Sequence, residues 1–307
     1  MKIAFLFLVY DDINYDQLWQ KFFSKSDQSK HSIYVHSKKT HTLSDFFTSK
    51  RTIENTETKW ADISLVKAQN ILLQEALKDE DNQRFVFVSD SCIPVKSFEY
   101  VYQRICSNKK SLFNHRKLEY PQRYTALKSI IGSKFVMKAS QWCILNRKHA
   151  QQIINEVDER WYDIFSKVFA PDEIAYITTL NLILNNLKDE VEFDENKCYS
   201  TTFTNWGMDP DGISPEYKYE QPEINRVKTY NQIIENEILD IIKSKSFFAR
   251  KFTKDCQVLT HYTNKNVNSL VPVNGFVCSR LSWYLDSILD SFDFFIKNRL
   301  TDDDNNL

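Results

Sequence analysis

A few short segments of this chain carry side chains that could do chemistry. Asp90-Ser91-Cys92 brings one hard carboxylate and a thiol close together, a poor donor set for Mg²⁺, which takes oxygen ligands in an octahedron. Pro171-Asp172-Glu173 places two acids beside a proline suited to a first helical turn; taken alone, such acids complement the helix macrodipole. Arg250-Lys251 sets two cations side by side between Phe247, Phe248 and Phe252, aromatics able to anchor them against a core. A basic, aromatic stretch runs through His115-Arg116-Lys117, Arg123-Tyr124, Lys128, Lys134 and Lys138 to Ser140-Gln141-Trp142. Asp209-Pro210-Asp211 also pairs two acids, but in a Pro/Gly-rich stretch with no preceding strand, where it reads as a turn.

These segments need a scaffold. Ile3 to Tyr10 is an unbroken apolar run, too short to span a bilayer at ~20 residues and lacking a small-residue cleavage site, so it reads as a buried strand. A helix is expected over Tyr15 to Ser24, a strand over His31 to Ser37, and a loop with one short strand over 39–60. Asp62 to Leu77 reads as a crossover helix and Arg84 to Ser89 as a third strand. Further along, the pattern gives a strand over Gln141–Leu145, helices over Lys148–Val157 and from Pro171, and a long helix over about Ile224–Lys245. Alternating strands and helices indicate an α/β fold with a mostly parallel sheet. Ligands of such sheets bind beyond the carboxyl ends of the strands, so His36–Lys38 and Asp90–Pro94 should border the site.

Composition excludes several functions. The chain has only four glycines, at 132, 207, 212 and 275, which cannot form a G-x-G-x-x-G turn or a Walker loop, so phosphate must be held by side chains. A net charge of −1 argues against nucleic acid as a partner. None of the six cysteines lies in C-x-x-C or at zinc-finger spacing, so they read as scattered small core residues.

Several segments together resemble the Core-2/I-branching N-acetylglucosaminyltransferases (glycosyltransferase family 14), most closely the plant branch. They are Tyr34-Val35-His36-Ser37, Trp60 before an acidic helix, Arg84 through Pro94, Lys138-Ala139-Ser140-Gln141-Trp142, Pro171-Asp172-Glu173, and Phe248-Ala249-Arg250-Lys251-Phe252, all in the family's order. The resemblance spans about residues 1–255. It implies a GT-A-like single domain, a mostly parallel twisted sheet flanked by helices; residues 256–307 lie outside it and read, from their own periodicity, as a helical C-terminal extension. It further implies inverting transfer of a sugar, N-acetylglucosamine first, from a UDP-sugar to a hydroxyl of a glycan acceptor without metal.

Carried over residue by residue, Glu173 matches the family's general base and Lys251 its diphosphate-binding lysine. Arg250 and, more weakly, Arg226 are further donor-side cations; Asp90 and Ser91 border the donor where most GT-A enzymes have a metal-binding Asp-x-Asp; Val35 matches a nucleoside contact. Lys138, Gln141, Trp142 and Trp206 are the acceptor-side candidates, and Asp172 is expected to cap or orient. A catalytically silent binder of glycans or nucleotide sugars is the competing reading. No cofactor and no integral membrane segment are expected, and the location is expected to be cytoplasmic. An amphipathic helix from Leu281 to Ile296 would pack on the domain or on a second copy in a homodimer.

Overall fold

A computed structural model describes residues 1–39, 43–53, 56–116, 118, 120–194, 200–206, 227–262, 275–281 and 285. The chain opens with β1 (Lys2–Val9), α1 (Asp16–Ser24), β2 (His31–Ser37), α2 (Asp45–Thr48), β3 (Arg51–Ile53), α3 (Ile63–Leu77) and β4 (Asn82–Ser89). β5 (Ile93–Pro94), α4 (Phe98–Ser107), β6 (Ser111–Arg116), α5 (Thr125–Ile131), β7 (Lys138–Ala139), β8 (Ile144–Asn146), α6 (Arg147–Glu156) and α7 (Glu159–Ser166) follow. A 3₁₀ turn at Pro171–Glu173 leads into α8 (Ala175–Ile183), α9 (Leu187–Glu190), β9 (Val191–Asp194) and β10 (Thr202–Thr204). The last elements are β11 (Tyr230–Ile234), α10 (Glu235–Lys243), β12 (Phe248–Arg250), β13 (Phe252–Tyr262) and β14 (Gly275–Arg280).

The central sheet has the order β3-β2-β1-β4-β8-β6-β7, with β9 on β6. Its first four strands are parallel, as expected from their apolar runs, which are buried on both faces. The far half is mixed: β8 is antiparallel to β4 and to β6, and β7 is antiparallel to β6. Asp62 caps α3 through the N–H of Ser64 at 2.9 Å. One face of the sheet packs an aromatic core in which Phe248 meets Trp19 and Phe5 at ring separations of 5.7 and 6.3 Å.

Two small sheets go beyond the expectation: β10-β12-β5 and β11-β13-β14. The expected helix over 224–245 is corrected. Tyr230–Ile234 is a strand paired in parallel with β13, and the helix starts only at Glu235. Tyr230 and Ile233 are buried while Asn231, Gln232 and Ile234 are exposed, and pairing with a distant strand overrides helical propensity here. The expected strand from Gln141 is also shorter, starting at Ile144. β13 runs unbroken across position 255. Cys256, Val258, Leu281 and Leu285 share one apolar cluster with Ile93, Ala249 and Ile238. The rest of the expected terminal helix lies outside the described residues. Among these, no helix is long and apolar enough to cross a membrane.

Candidate active site

Three loops meet beyond the carboxyl ends of β1 and β4. Asp90, just past β4, accepts the N–H of Tyr10 on Oδ2 at 3.0 Å and that of Asn14 on its carbonyl at 3.0 Å. The carbonyl of Ser91 accepts the N–H of Phe252 at 3.2 Å. Asn14 donates to the carbonyl of Phe252 at 2.7 Å, and the Tyr15 hydroxyl to that of Thr253 at 2.7 Å. The β1–α1 loop, the turn after β4 and the β12–β13 junction are thus tied into one rim, which carries Asp90, Arg250 and Lys251.

Cys92 does not share that rim. Its sulfur is fully buried and lies 3.3 Å from the N–H of Ser89 and 3.2 Å from its hydroxyl. Burial pushes the thiol's pKa up, so it stays protonated, the wrong form for a metal ligand. Ser91 is buried too, its hydroxyl 3.2 Å from that of Ser89. Among the described residues, no three His, Cys, Asp or Glu side chains are grouped so as to hold a metal ion.

Arg250 is the centre of charge. β12 pairs in parallel with β10, Arg250 opposite Thr204, and antiparallel with β5, which draws it to the Asp90 turn from far along the chain. Only 9% exposed, it lays its guanidinium over the face of Trp142, 4.4 Å from the ring centroid. Its Nε is buried without a hydrogen-bond partner. Burial lowers its pKa, opposed by the titratable groups around it, among them the carboxylates of Asp90, Asp172 and Glu173; an arginine stays charged under such pressure. Lys251 is exposed as a residue, yet crowding of its ammonium, then repulsion from Arg250, lowers its pKa.

Across from Arg250 sits the acid pair. Glu173 is bridged to Lys138 at 3.2 Å, the two side chains 15% and 16% exposed. Asp172 is the middle residue of the 3₁₀ turn. Its Oδ1 is buried and unpartnered, and burial, then the neighbouring Glu173, hold its pKa well above the ordinary carboxylate range against the pull of Arg250 and Lys138. The two acids differ in their surroundings: Glu173 is paired with Lys138, whereas Asp172 has a buried, unpartnered Oδ1 and a pKa raised to about 7.

Of the expected acceptor-side residues, Lys138 belongs to Glu173, and the Trp142 face is already covered by Arg250. Gln141 has its Oε1 buried and unpartnered. Trp206 lies beside the same corner: Arg116 stacks on its ring at 5.7 Å, and Arg116 pairs with Lys138 across β6 and β7. Val35 is fully buried in the core under the sheet and presents no side-chain surface to a ligand. Arg226 and Asp209-Pro210-Asp211 lie outside the described residues. Two residues escaped the sequence reading. Arg116 was one member of a basic run, and Tyr10, exposed with the Lys38 and Lys39 ammoniums 5.5 and 5.2 Å from its ring, looked like a strand end.

A protein of Oryza sativa subsp. japonica described as Glycosyltransferase BC10 is 35% identical over 162 residues, 50% of this chain and 41% of that protein, so the chain spans less than half the length of this relative. Among solved structures, the galactosyltransferase LgtC with donor and acceptor sugar analogues is similar at 9% identity and a TM-score of 0.41, covering 81% of this chain and 87% of that one. Residues 1–349 of S. aureus TarS are similar at 12% identity and a TM-score of 0.36, covering 64% and 59%. The family model for the Core-2/I-branching enzymes matches residues 3–234; the chain belongs to that family, and its α/β architecture around a central sheet is the GT-A-like one that membership implies.

Proposed function

We propose that the protein is an inverting, metal-independent glycosyltransferase that moves a sugar, N-acetylglucosamine first, from a UDP-sugar to a hydroxyl of an acceptor glycan. The observation that carries this reading is the Lys138–Glu173 pair set against a buried, stacked Arg250. Glu173, paired with Lys138, takes the proton of the acceptor hydroxyl as that oxygen bonds to the anomeric carbon. The bond from the anomeric carbon to the diphosphate breaks on the opposite face, and UDP leaves with the electron pair. Arg250 and Lys251 meet the charge that grows on the leaving oxygen, the role that a divalent ion would otherwise take. Asp172, its pKa raised to about 7, puts less negative charge beside the diphosphate than an ordinary carboxylate would. Fixed cations in a partly dry site need no reorganisation as the bond breaks, which is why they favour the transition state over the bound donor.

The test is a panel of UDP-sugars followed by thermal shift, then UDP release with and without glycan acceptors. Stabilisation by UDP and by one UDP-sugar, with acceptor-dependent UDP release, is the expected result. Stabilisation without any release would favour a silent nucleotide-sugar binder, and no stabilisation by any uridine nucleotide would overturn the proposal.

A further inference from the structure

The most exposed large apolar side chain of the described residues is Trp60, at 84%, and it is not alone. Its ring meets that of Phe169, itself 42% exposed, edge to face at 5.5 Å. The Arg123 guanidinium lies 4.8 Å from the Phe169 ring centroid and 4.7 Å from that of Tyr120, which is 41% exposed. Three distant segments of the chain thus present a strip of aromatic rings with one guanidinium among them.

The backbone under this strip is unusual. The non-glycine residues with left-handed φ among the described residues are Ala61 (56°), Tyr120 (53°) and Ala170 (52°), and each is a member of the strip or the direct neighbour of one. Such conformations persist where surrounding structure enforces them, and they collect at functional sites. Here the N–H of Ala170 reaches the carbonyl of Ala61 at 3.4 Å, tying the Trp60 and Phe169 segments together. The carbonyl of Ala170 in turn accepts the N–H of Glu173 at 3.1 Å. Phe169 is four residues from Glu173, so their Cα atoms are at most about 14 Å apart. The strip adjoins the acid pair.

A row of exposed rings held rigid beside a carboxylate fits a carbohydrate chain. The C–H face of a pyranose stacks on an aromatic ring, and a guanidinium donates to its hydroxyls. Arg123 has no carboxylate partner among the described residues, so its donors are not taken up by an ion pair. We propose that Trp60, Phe169, Tyr120 and Arg123 form an extended acceptor subsite, which holds the sugars of an oligosaccharide beyond the one that reacts at Glu173. This deepens the transferase reading and rests on it: it places the further sugars of the acceptor glycan on this strip.

The experiment uses the whole chain and two variants, Trp60→Ala and Phe169→Ala, whose exposed rings can be removed without opening the core. Ladders of xylo-, chito- and galacto-oligosaccharides, from the monosaccharide to the hexasaccharide, are titrated by calorimetry in the presence of UDP. UDP stabilisation is measured on all three proteins. The expected result is affinity that rises at least about tenfold with length in one ladder, a rise absent from both variants, with UDP stabilisation the same in all three. Sugar binding that ignores length, no binding by any ladder, or variants that keep the rise would overturn the subsite while leaving UDP stabilisation intact. A parent protein that UDP does not stabilise would overturn the transferase reading, and the acceptor role of the strip with it.

Discussion

Replacing Glu173 by Gln removes one charge and almost no volume, so its effects on folding and on reaction can be separated. At 3.2 Å the gross attraction between Lys138 and Glu173 is about 5 kcal/mol at an effective dielectric constant of 20. Most of it is offset by the water both groups give up, and the amide oxygen still accepts from the Lys138 ammonium, so the net folding cost should be about 1 kcal/mol. A compensating gain comes from Asp172, whose pKa is raised in part by the Glu173 charge and relaxes when that charge goes. The melting temperature should therefore move by only about 2–4 °C. Transfer should fall about 10²–10⁴-fold, or roughly 2.7–5.4 kcal/mol in the barrier, because an amide cannot accept the acceptor's proton. UDP affinity, proposed to rest on Arg250 and Lys251, should hold. UDP release at saturating donor and acceptor gives the rate, and calorimetry gives the affinity. Turnover within about threefold of the parent in a folded variant would refute the assignment of Glu173 as base.

Lys251→Ala should leave folding unchanged, since the residue is exposed, and weaken UDP binding about 10–100-fold, as loss of a charged hydrogen bond to phosphate does; unchanged affinity and turnover would remove Lys251 from the site. Asp172→Asn tests the raised pKa of Asp172. A carboxyl that binds its proton more tightly folded than unfolded contributes stability that is complete below the unfolded value near 4 and lost as pH climbs through the folded one. The parent should lose stability relative to the variant between about pH 4 and neutrality, and urea unfolding at stepped pH values with no such divergence would refute it. Activity should survive excess EDTA and gain little from Mn²⁺, because cations fixed in the chain cannot be chelated; abolition by EDTA with rescue by Mn²⁺ would make Asp90 a metal ligand after all.

The parallel half of the sheet was legible because its strands are buried on both faces and spell themselves as unbroken apolar runs, Ile3 to Val9 and Phe85 to Val88. The turn at Asp90 followed, since a parallel strand delivers its ligand residues at its carboxyl end. Pairings made across the chain were not legible. Tyr230–Ile234 becomes a strand only because β13 lies alongside it. The stacking of Arg250 on Trp142 joins segments that no local pattern connects. Val35 shows the limit of a resemblance: it carries a residue's identity to its position, but exposure depends on what packs around it, and here the Val35 side chain sits in the core.

The fate of Cys92 links these two lessons. Its thiol turns inward to Ser89 and the aromatic core, so Asp90 has no partner carboxylate at this turn with which to hold a divalent ion, and a leaving diphosphate would need its countercharge from elsewhere. The strand just past the same turn, β5, pairs with β12, and β12 ends in Arg250 with Lys251 next. One hydrogen-bonded ladder thus places two permanent cations at the rim. A strand pairing that brings cations to an acidic turn costs little if those cations find negative charge there, and the carboxylates of Asp90 and Glu173 supply it until substrate arrives. On the proposed reaction, Arg250 would exchange protein carboxylates for phosphate oxygens when a diphosphate binds. Its buried, unpartnered Nε is the donor that the exchange would satisfy.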